Sequence, residues 1–181
     1  MKIFSGRPQE LEGREERELR VYDLLDSAGI SYERCDHAPA LTMADCEEID
    51  ISLGLVMCKN LFLCNRQKTD FYLLLMPADK PFRTKEVSAQ LGVARLSFAS
   101  AEDMERLLDI HPGAVSVMGL MNDKECEVRL LVDDELKKCE FFGCHPCVNT
   151  SSLKIRSTDI FEKFLPIVKH SPTYLKLERG E

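Results

Sequence analysis

Residues 141–152 read FFGCHPCVNTSS and place a histidine, a proline, an asparagine and three hydroxyl residues directly after a short aromatic run. Cys144 and Cys147 bracket His145 with the two-residue spacing of a redox dithiol or of half a zinc site, and Cys139 supplies a third thiol upstream. The same stretch also reads as one wall of a small pocket for a polar ligand. Asn149 lies four residues beyond His145, past a proline that fixes the turn, and Thr150, Ser151 and Ser152 add hydroxyls. A structural zinc site pairs two such knuckles, and no second CxxC occurs. Haem attachment needs a histidine directly after the second cysteine, where Val148 stands. A thioredoxin-like dithiol opens a helix early in a βαβ unit, whereas this pair follows a late strand. The thiols therefore read as buried or incidental, and neither a metal nor a cofactor is expected.

Two further segments carry candidate chemistry. In residues 111–123, HPGAVSVMGLMND, Gly113 and Gly119 bracket a very short apolar strand. A glycine just past a strand lets the backbone approach a ligand closely, and its N–H can face a developing oxyanion. The plainer alternative is that both glycines make turns. Lys59-Asn60 opens an apolar strand; the lysine is either a solvated strand-end charge or, pointing inward, a cation aimed at a phosphate or carbonyl.

The elements that must position these residues follow from periodicity. Residues 15–28 place Leu19, Tyr22 and Leu25 on one helical face, and Gly29 ends the helix. Residues 30–35 form a first strand. Thr42 caps a second helix that carries Cys46 and Glu47 and reaches Leu53, with Gly54 after it. Residues 59–64 and 70–76, joined by a polar turn, form an antiparallel hairpin at the centre of a sheet. Helices are expected over 84–91 and, capped by Ser100, over 101–108. Short strands follow at 115–117, 128–132, 138–142 and 151–155. Ser157 or Thr158 caps a final helix that stops before Pro166. Strand and helix do not alternate strictly, which predicts an α+β domain with a mixed, strongly curved, barrel-like sheet flanked by helices.

With 181 residues and 44% hydrophobic content the chain suits one well-packed domain. Residues 1–14 read as an N-terminal extension, 15–170 as the domain and 171–181 as a tail. No apolar run approaches the ~20 residues that span a bilayer, and the N-terminus lacks a secretory pattern. Eight cysteines then read as free thiols in a reducing compartment, so the expected location is cytoplasmic, with no membrane partner. The net charge of −7 lies wholly in residues 1–55, where 6 Lys/Arg face 13 Asp/Glu; the remainder carries 18 of each sign. With no basic stripe, any nucleic-acid contact is expected to be small and local.

Three segments in this order resemble the YbaK/ProX family of aminoacyl-tRNA deacylases, in its prolyl-tRNA editing branch. They are Lys59-Asn60-Leu61-Phe62-Leu63, the run from Pro112-Gly113 through Ser116 and Gly119-Leu120 to Asn122-Asp123, and His145-Pro146 with Asn149-Thr150. The opening LLDSAGISYE followed by His37 also fits, and the resemblance covers roughly residues 15–166. It implies hydrolysis of the ester on mischarged tRNA(Pro), above all Ala-tRNA(Pro), with the acceptor end of that tRNA as partner and prolyl-tRNA synthetase as a second one. By the same resemblance, Lys59 is the central charge and Gly119 N–H helps hold the carbonyl oxygen. His145 acts as general base or orients the terminal adenosine together with Asn149, the substrate's own 2′-OH being enlisted. Asn60, Gly113, Ser116, Met118 and Thr150 complete the substrate contacts, with Val117, Met118 and Met121 as walls of a size sieve. Val117-Met118 and Ser152 depart from the usual pattern and bear on which amino acid is cleared. A non-catalytic tRNA- or synthetase-binding module, or a deacylase for Cys or Ser, is the alternative; the oligomeric state is left open.

Overall fold

A computed structural model describes residues 1–39, 43–55 and 58–180, without the side chains of Met43 and Cys46. The expected cap Thr42 lies outside the described residues. In chain order the elements begin with β1 (Ile3–Ser5), α1 (Glu16–Ser27), β2 (Tyr32–Asp36), α2 (Met43–Leu53), β3 (Cys58–Cys64) and β4 (Phe71–Pro77). They continue with α3 (Thr84–Leu91), β5 (Ser97–Phe98), α4 (Ala101–Leu108), a 3-10 helix at Val117–Met121, β6 (Val128–Asp133) and a second 3-10 turn at Asp134–Lys138. After β7 (Phe141–Cys144) and β8 (Ser151–Arg156), residues 157–167 form one helix, α5, with a π-helical middle at Ile160–Phe164, and β9 (Thr173–Leu175) follows. Among the described residues no helix is long and apolar enough to cross a membrane.

The fold is α+β, as expected, with its strands divided between two sheets. One is antiparallel throughout, in the order β1-β2-β8-β7; the other is mixed, in the order β5-β3-β4-β6-β9, with β4, β6 and β9 parallel. The β3–β4 hairpin lies at the centre of the mixed sheet, closed by Asn65, whose Oδ1 accepts from Thr69 N at 2.9 Å and Asp70 N at 3.2 Å. All seven residues of β4 are buried because both faces of its sheet are covered. Phe71, Leu73 and Leu75 face the main core between the sheets, with Tyr22, Phe142, Leu153 and Phe164. Tyr72, Leu74 and Met76 face a second core under α3, with Val87 and Leu177. A third, small cluster of Cys35, Ile49, Leu53 and Leu55 seats α2 on the outer face of the antiparallel sheet.

Local chemistry explains where strand periodicity misleads. No strand forms over 115–117, because Ser116 Oγ accepts from Met118 N at 3.1 Å and winds the following residues into the 3-10 helix. A short apolar run does not distinguish a buried strand from a buried helical turn, and here Val117, Met118, Leu120 and Met121 are all buried. Asp133 does the same for the second 3-10 turn, accepting from Glu135 N at 2.9 Å, so the next strand begins at Phe141 and not at Lys138. The last helix is capped at Arg156 without a side-chain bond, and it runs past Pro166, which sits where the π-helical middle passes into the closing turn.

The segments expected to be an extension and a tail both add strands. β1 pairs with β2, and β9 pairs with β6. The C-terminal segment is held by Lys80, whose buried Nζ lies 2.9 Å from Asp133 Oδ2, 2.9 Å from Glu135 Oε1 and 2.7 Å from the Leu177 carbonyl. Lys80→Met would strand the wholly buried Asp133 carboxylate, so stability should fall by about 3–5 kcal/mol. Urea denaturation reads the loss, and hydrogen exchange should locate the first opening at β9.

Candidate active site

His145 follows β7 and lines a small open cleft together with Asp50 of α2, Asn60 of β3, Gly143 of β7 and Ser152 of β8. Its Nδ1 lies 2.9 Å from the Ser151 carbonyl, which can only accept, so the proton sits on Nδ1 and Nε2 is left as a bare acceptor. His37 is fixed in the same way, with Nδ1 2.8 Å from the Ala38 carbonyl. Its Nε2 therefore accepts the Ser152 hydroxyl proton at 3.0 Å, while Ser152 Oγ takes a second share of His145 Nδ1–H at 3.3 Å. Burial holds the His145 pKa below the ordinary imidazole value; the Ser151 bond opposes that shift and His37, 6.2 Å away between ring centroids, adds to it. At neutral pH His145 is a neutral imidazole with one defined lone pair, the state a general base or water-orienting acceptor requires.

A buried polar chain supports this arrangement from behind. Tyr22 Oη donates to Glu18 at 2.7 Å and lies 3.5 Å from Ser151 Oγ; Glu18 in turn pairs with Arg14, and Arg14 with Asp36 at 2.7 Å. Arg34 also pairs with Asp36. The backbone of His37 donates to the Thr150 carbonyl at 3.0 Å, so both histidines hang from the junction of β2 and β8.

Asp50 is placed by the end of α2. Gly54, at φ +66°, takes the left-handed conformation that lets Gly54 N bond the Ile51 carbonyl and Leu55 N bond the Asp50 carbonyl at 2.8 Å. Leu55 then lies against β7, where a Cβ on Gly143 would come within 2.7 Å of its Cδ1. Burial alone raises the Asp50 carboxyl to about 6. Among the described residues, buried Asn60 Oδ1 has no hydrogen-bond partner. Both side chains border the cleft.

The sequence-derived site residues do not all meet at the cleft. His145 and Asn60 line the cleft, and Asn149 lies near its turn, with Nδ2 3.6 Å from where a Cβ on Gly113 would be. Thr150 is exposed and contributes its carbonyl to His37. Ser116, Met118 and Gly119 are buried and serve packing. Ser116 caps the 3-10 helix and hydrogen-bonds Cys144, and Met118 sits in the main core with Val117 and Met121 rather than in the cleft wall. Gly119 N–H is already bonded to the Ser116 carbonyl at 3.1 Å, so it is not an oxyanion donor. The absence of a side chain at Gly119 serves close packing, since a Cβ there would lie 2.6 Å from Ile110 Cδ1 and 3.0 Å from Leu108 Cβ. Lys59 points to the other face of β3, with Leu61 and Leu63, and its Nζ donates to the Ala78 carbonyl at 3.2 Å and to the Lys80 carbonyl. Burial pushes the Cys58 and Cys147 thiols up to about 12 and Cys144 higher still, so these sulfurs stay protonated. Among the described residues no three His, Cys, Asp or Glu side chains converge as a metal site. Sequence reasoning missed Asp50 and gave His37 no role beyond the resemblance, whereas it read Ser152 as a hydroxyl of the pocket wall.

The profile of the aminoacyl-tRNA editing domain matches residues 37–163, beginning at His37. Prolyl-tRNA editing protein ProX of Acetoanaerobium sticklandii is 31% identical over 136 residues, covering 75% of this chain and 83% of that protein. Prolyl-tRNA synthetase associated domain-containing protein 1 of Danio rerio is 28% identical over 158 residues, 86% of this chain and 85% of its own length. The crystal structure of a candidate trans-editing enzyme for prolyl tRNA synthetase shares the fold, with a TM-score of 0.67 at 14% identity over 92% of this chain and 99% of that one.

Two measurements separate packing roles from cleft roles. Gly119→Ala should cost about 1–3 kcal/mol of stability through overpacking against Leu108 and Ile110, read by urea denaturation. Asp50→Asn should do the opposite above neutrality. A carboxyl whose folded pKa is raised to about 6 contributes stability below its unfolded pKa and loses it as pH rises through 6. The thermal midpoint of Asp50→Asn should therefore exceed that of the parent at pH 8, and the gap should close as pH falls below the ordinary carboxylate range.

Proposed function

This chain belongs to the aminoacyl-tRNA editing domain family, and we propose that it acts in trans on mischarged tRNA(Pro), with Ala-tRNA(Pro) as its principal substrate. It is an aminoacyl-tRNA hydrolase, cutting the ester between the amino acid and the terminal adenosine. The observation that carries the reading is the neutral His145, its proton pinned on Nδ1 by the Ser151 carbonyl and its Nε2 left as an acceptor in a residue that borders the cleft. An aminoacyl ester is already activated, so holding a water in line and accepting its proton supplies much of the acceleration needed. Water oxygen adds to the ester carbonyl as its proton passes to Nε2. The tetrahedral intermediate then collapses, and the same proton leaves with the 3′-oxygen of the adenosine.

Asn60, bordering the same cleft, orients the ester. Asn149, beside the His145 turn, contacts the terminal adenosine. Lys59 is flanked in sequence by the cleft-lining Cys58 and Asn60, and two carbonyls occupy two of its three N–H groups. It faces the other side of β3, so it ties that strand to the 78–80 turn and takes no part at the reacting ester. Size discrimination belongs to the cleft between Ile49, Gly143 and Cys144, where alanine enters and proline does not. Prolyl-tRNA synthetase, the source of the error, is the natural partner of such an activity.

Purified protein should release alanine from Ala-tRNA(Pro) faster than proline from Pro-tRNA(Pro), and His145→Ala should lower kcat/KM by roughly 10²–10⁴-fold. Cys- and Ser-tRNA(Pro) in the same panel decide whether the cleared residue is another small one. Binding of the tRNA without turnover of any ester would sink the hydrolase reading in favour of a binding module.

A further inference from the structure

The cleft is rich in hydrogen-bond acceptors, and among the described residues no cation lines it. Asp50 brings a carboxylate, Asn60 a buried Oδ1 without a partner, and His145 a bare Nε2. Ser152 spends its hydroxyl proton on His37. The nearby ammonium groups are engaged elsewhere. Lys154 pairs with Glu33 at 3.3 Å and lies over the Phe141 ring, and Lys59 faces the opposite side of β3. Among the described residues the Asp50 carboxylate has neither a hydrogen bond nor an ion pair, and burial is the sole cause of its raised pKa. A carboxylate kept partly desolvated without a partner costs stability, so the fold gains from it only when a ligand arrives.

The group that fits is a cation with several N–H donors, small enough to reach the end of α2. A phosphate is excluded, because it would meet a carboxylate and two further acceptors. Granting the deacylase reading above, the substrate carries one such group, two bonds from the scissile carbonyl carbon. We propose that Asp50 anchors the α-ammonium of the aminoacyl ester, with Asn60 Oδ1 as its second acceptor. The ester carbonyl is thereby brought to the water held at His145 Nε2. The cleft recognises the free amino terminus of a single amino acid, and esters whose nitrogen is blocked are refused. N-acylated and peptidyl esters lack the cation and must leave the carboxylate unpaired and buried.

The test compares kcat/KM on Ala-tRNA(Pro) and on N-acetyl-Ala-tRNA(Pro) for the parent, Asp50→Asn and Asn60→Ala proteins. The parent should favour the free amine by roughly thirty-fold or more. Asp50→Asn should lower the free-amine rate so that the ratio collapses toward one, and Asn60→Ala should move it part of the way. Folding of Asp50→Asn is checked by its thermal midpoint, which is expected to rise. Equal rates of the parent on both esters would overturn the anchor while leaving the hydrolase intact. So would an Asp50→Asn protein that slows on both esters alike. A parent that binds the tRNA but hydrolyses neither ester would instead remove the hydrolase reading, and the anchor with it.

Discussion

The antiparallel pairing of β2 with β8 sets Cys35 opposite Ser152 and Asp36 opposite Ser151, and the chemistry of the cleft depends on that register. Ser151 turns its side chain toward Tyr22 in the core and lends its carbonyl to His145; Ser152 faces the other way and joins the two imidazoles. A slip of one residue would exchange these two serines between faces, taking from His145 the carbonyl that sets its tautomer and from both imidazoles the hydroxyl that joins them. The register is specified well beyond the site. Tyr32 opposes Ile155 and Arg34 opposes Leu153, so a slip would also turn core side chains outward. The Arg14, Glu18 and Tyr22 chain ties α1 to the same junction. Stability and catalytic geometry are thus set by one set of backbone pairs.

Asp50 shows the reverse relation, in which site and stability oppose each other. Its carboxylate is held at the cleft by the left-handed turn at Gly54 and by the close seating of Leu55 on Gly143, where a Cβ would lie 2.7 Å from Leu55 Cδ1. Among the described residues nothing compensates its charge. The elements that position the site are therefore rigid and well satisfied, while the groups that face the cleft are left under-satisfied. At the cleft, among the described residues, neutral His145, Asp50 without a partner and Asn60 Oδ1 without a partner depart from ordinary polar pairing.

Much of the scaffold was legible in the sequence. α3 and α4 fell on their expected residues, because Ser100 caps one and Gly92 ends the other in a left-handed turn. The β3–β4 hairpin was legible from its two apolar runs and polar turn. The 3-10 helix at Val117–Met121 was not, since a serine capping a short apolar run leaves no periodic trace. Within the site, the His145–Asn149 turn was readable from residue types alone. Gly119 and Ser116 were read as ligand contacts, yet the same residue types satisfy packing and capping, and only the third dimension separates the two uses. Asp50 was invisible for a related reason: one acidic residue in an acidic helix carries no mark of the burial that sets it apart. His37 became meaningful only through a partner 115 positions away.

Both sheets end in very short strands. β1 and β9 are three residues long, β5 is two and β7 is four, while the strands behind β1 and β9 run to five and six. An exposed strand of that greater length offers a row of unpaired amides to any other extended chain. The two chain ends thus act as guards against strand addition between molecules, a service to solubility unconnected with tRNA. Trimming the protein to its apparent domain would uncover β2 on one sheet and β6 on the other. The protein would then acquire two sticky edges.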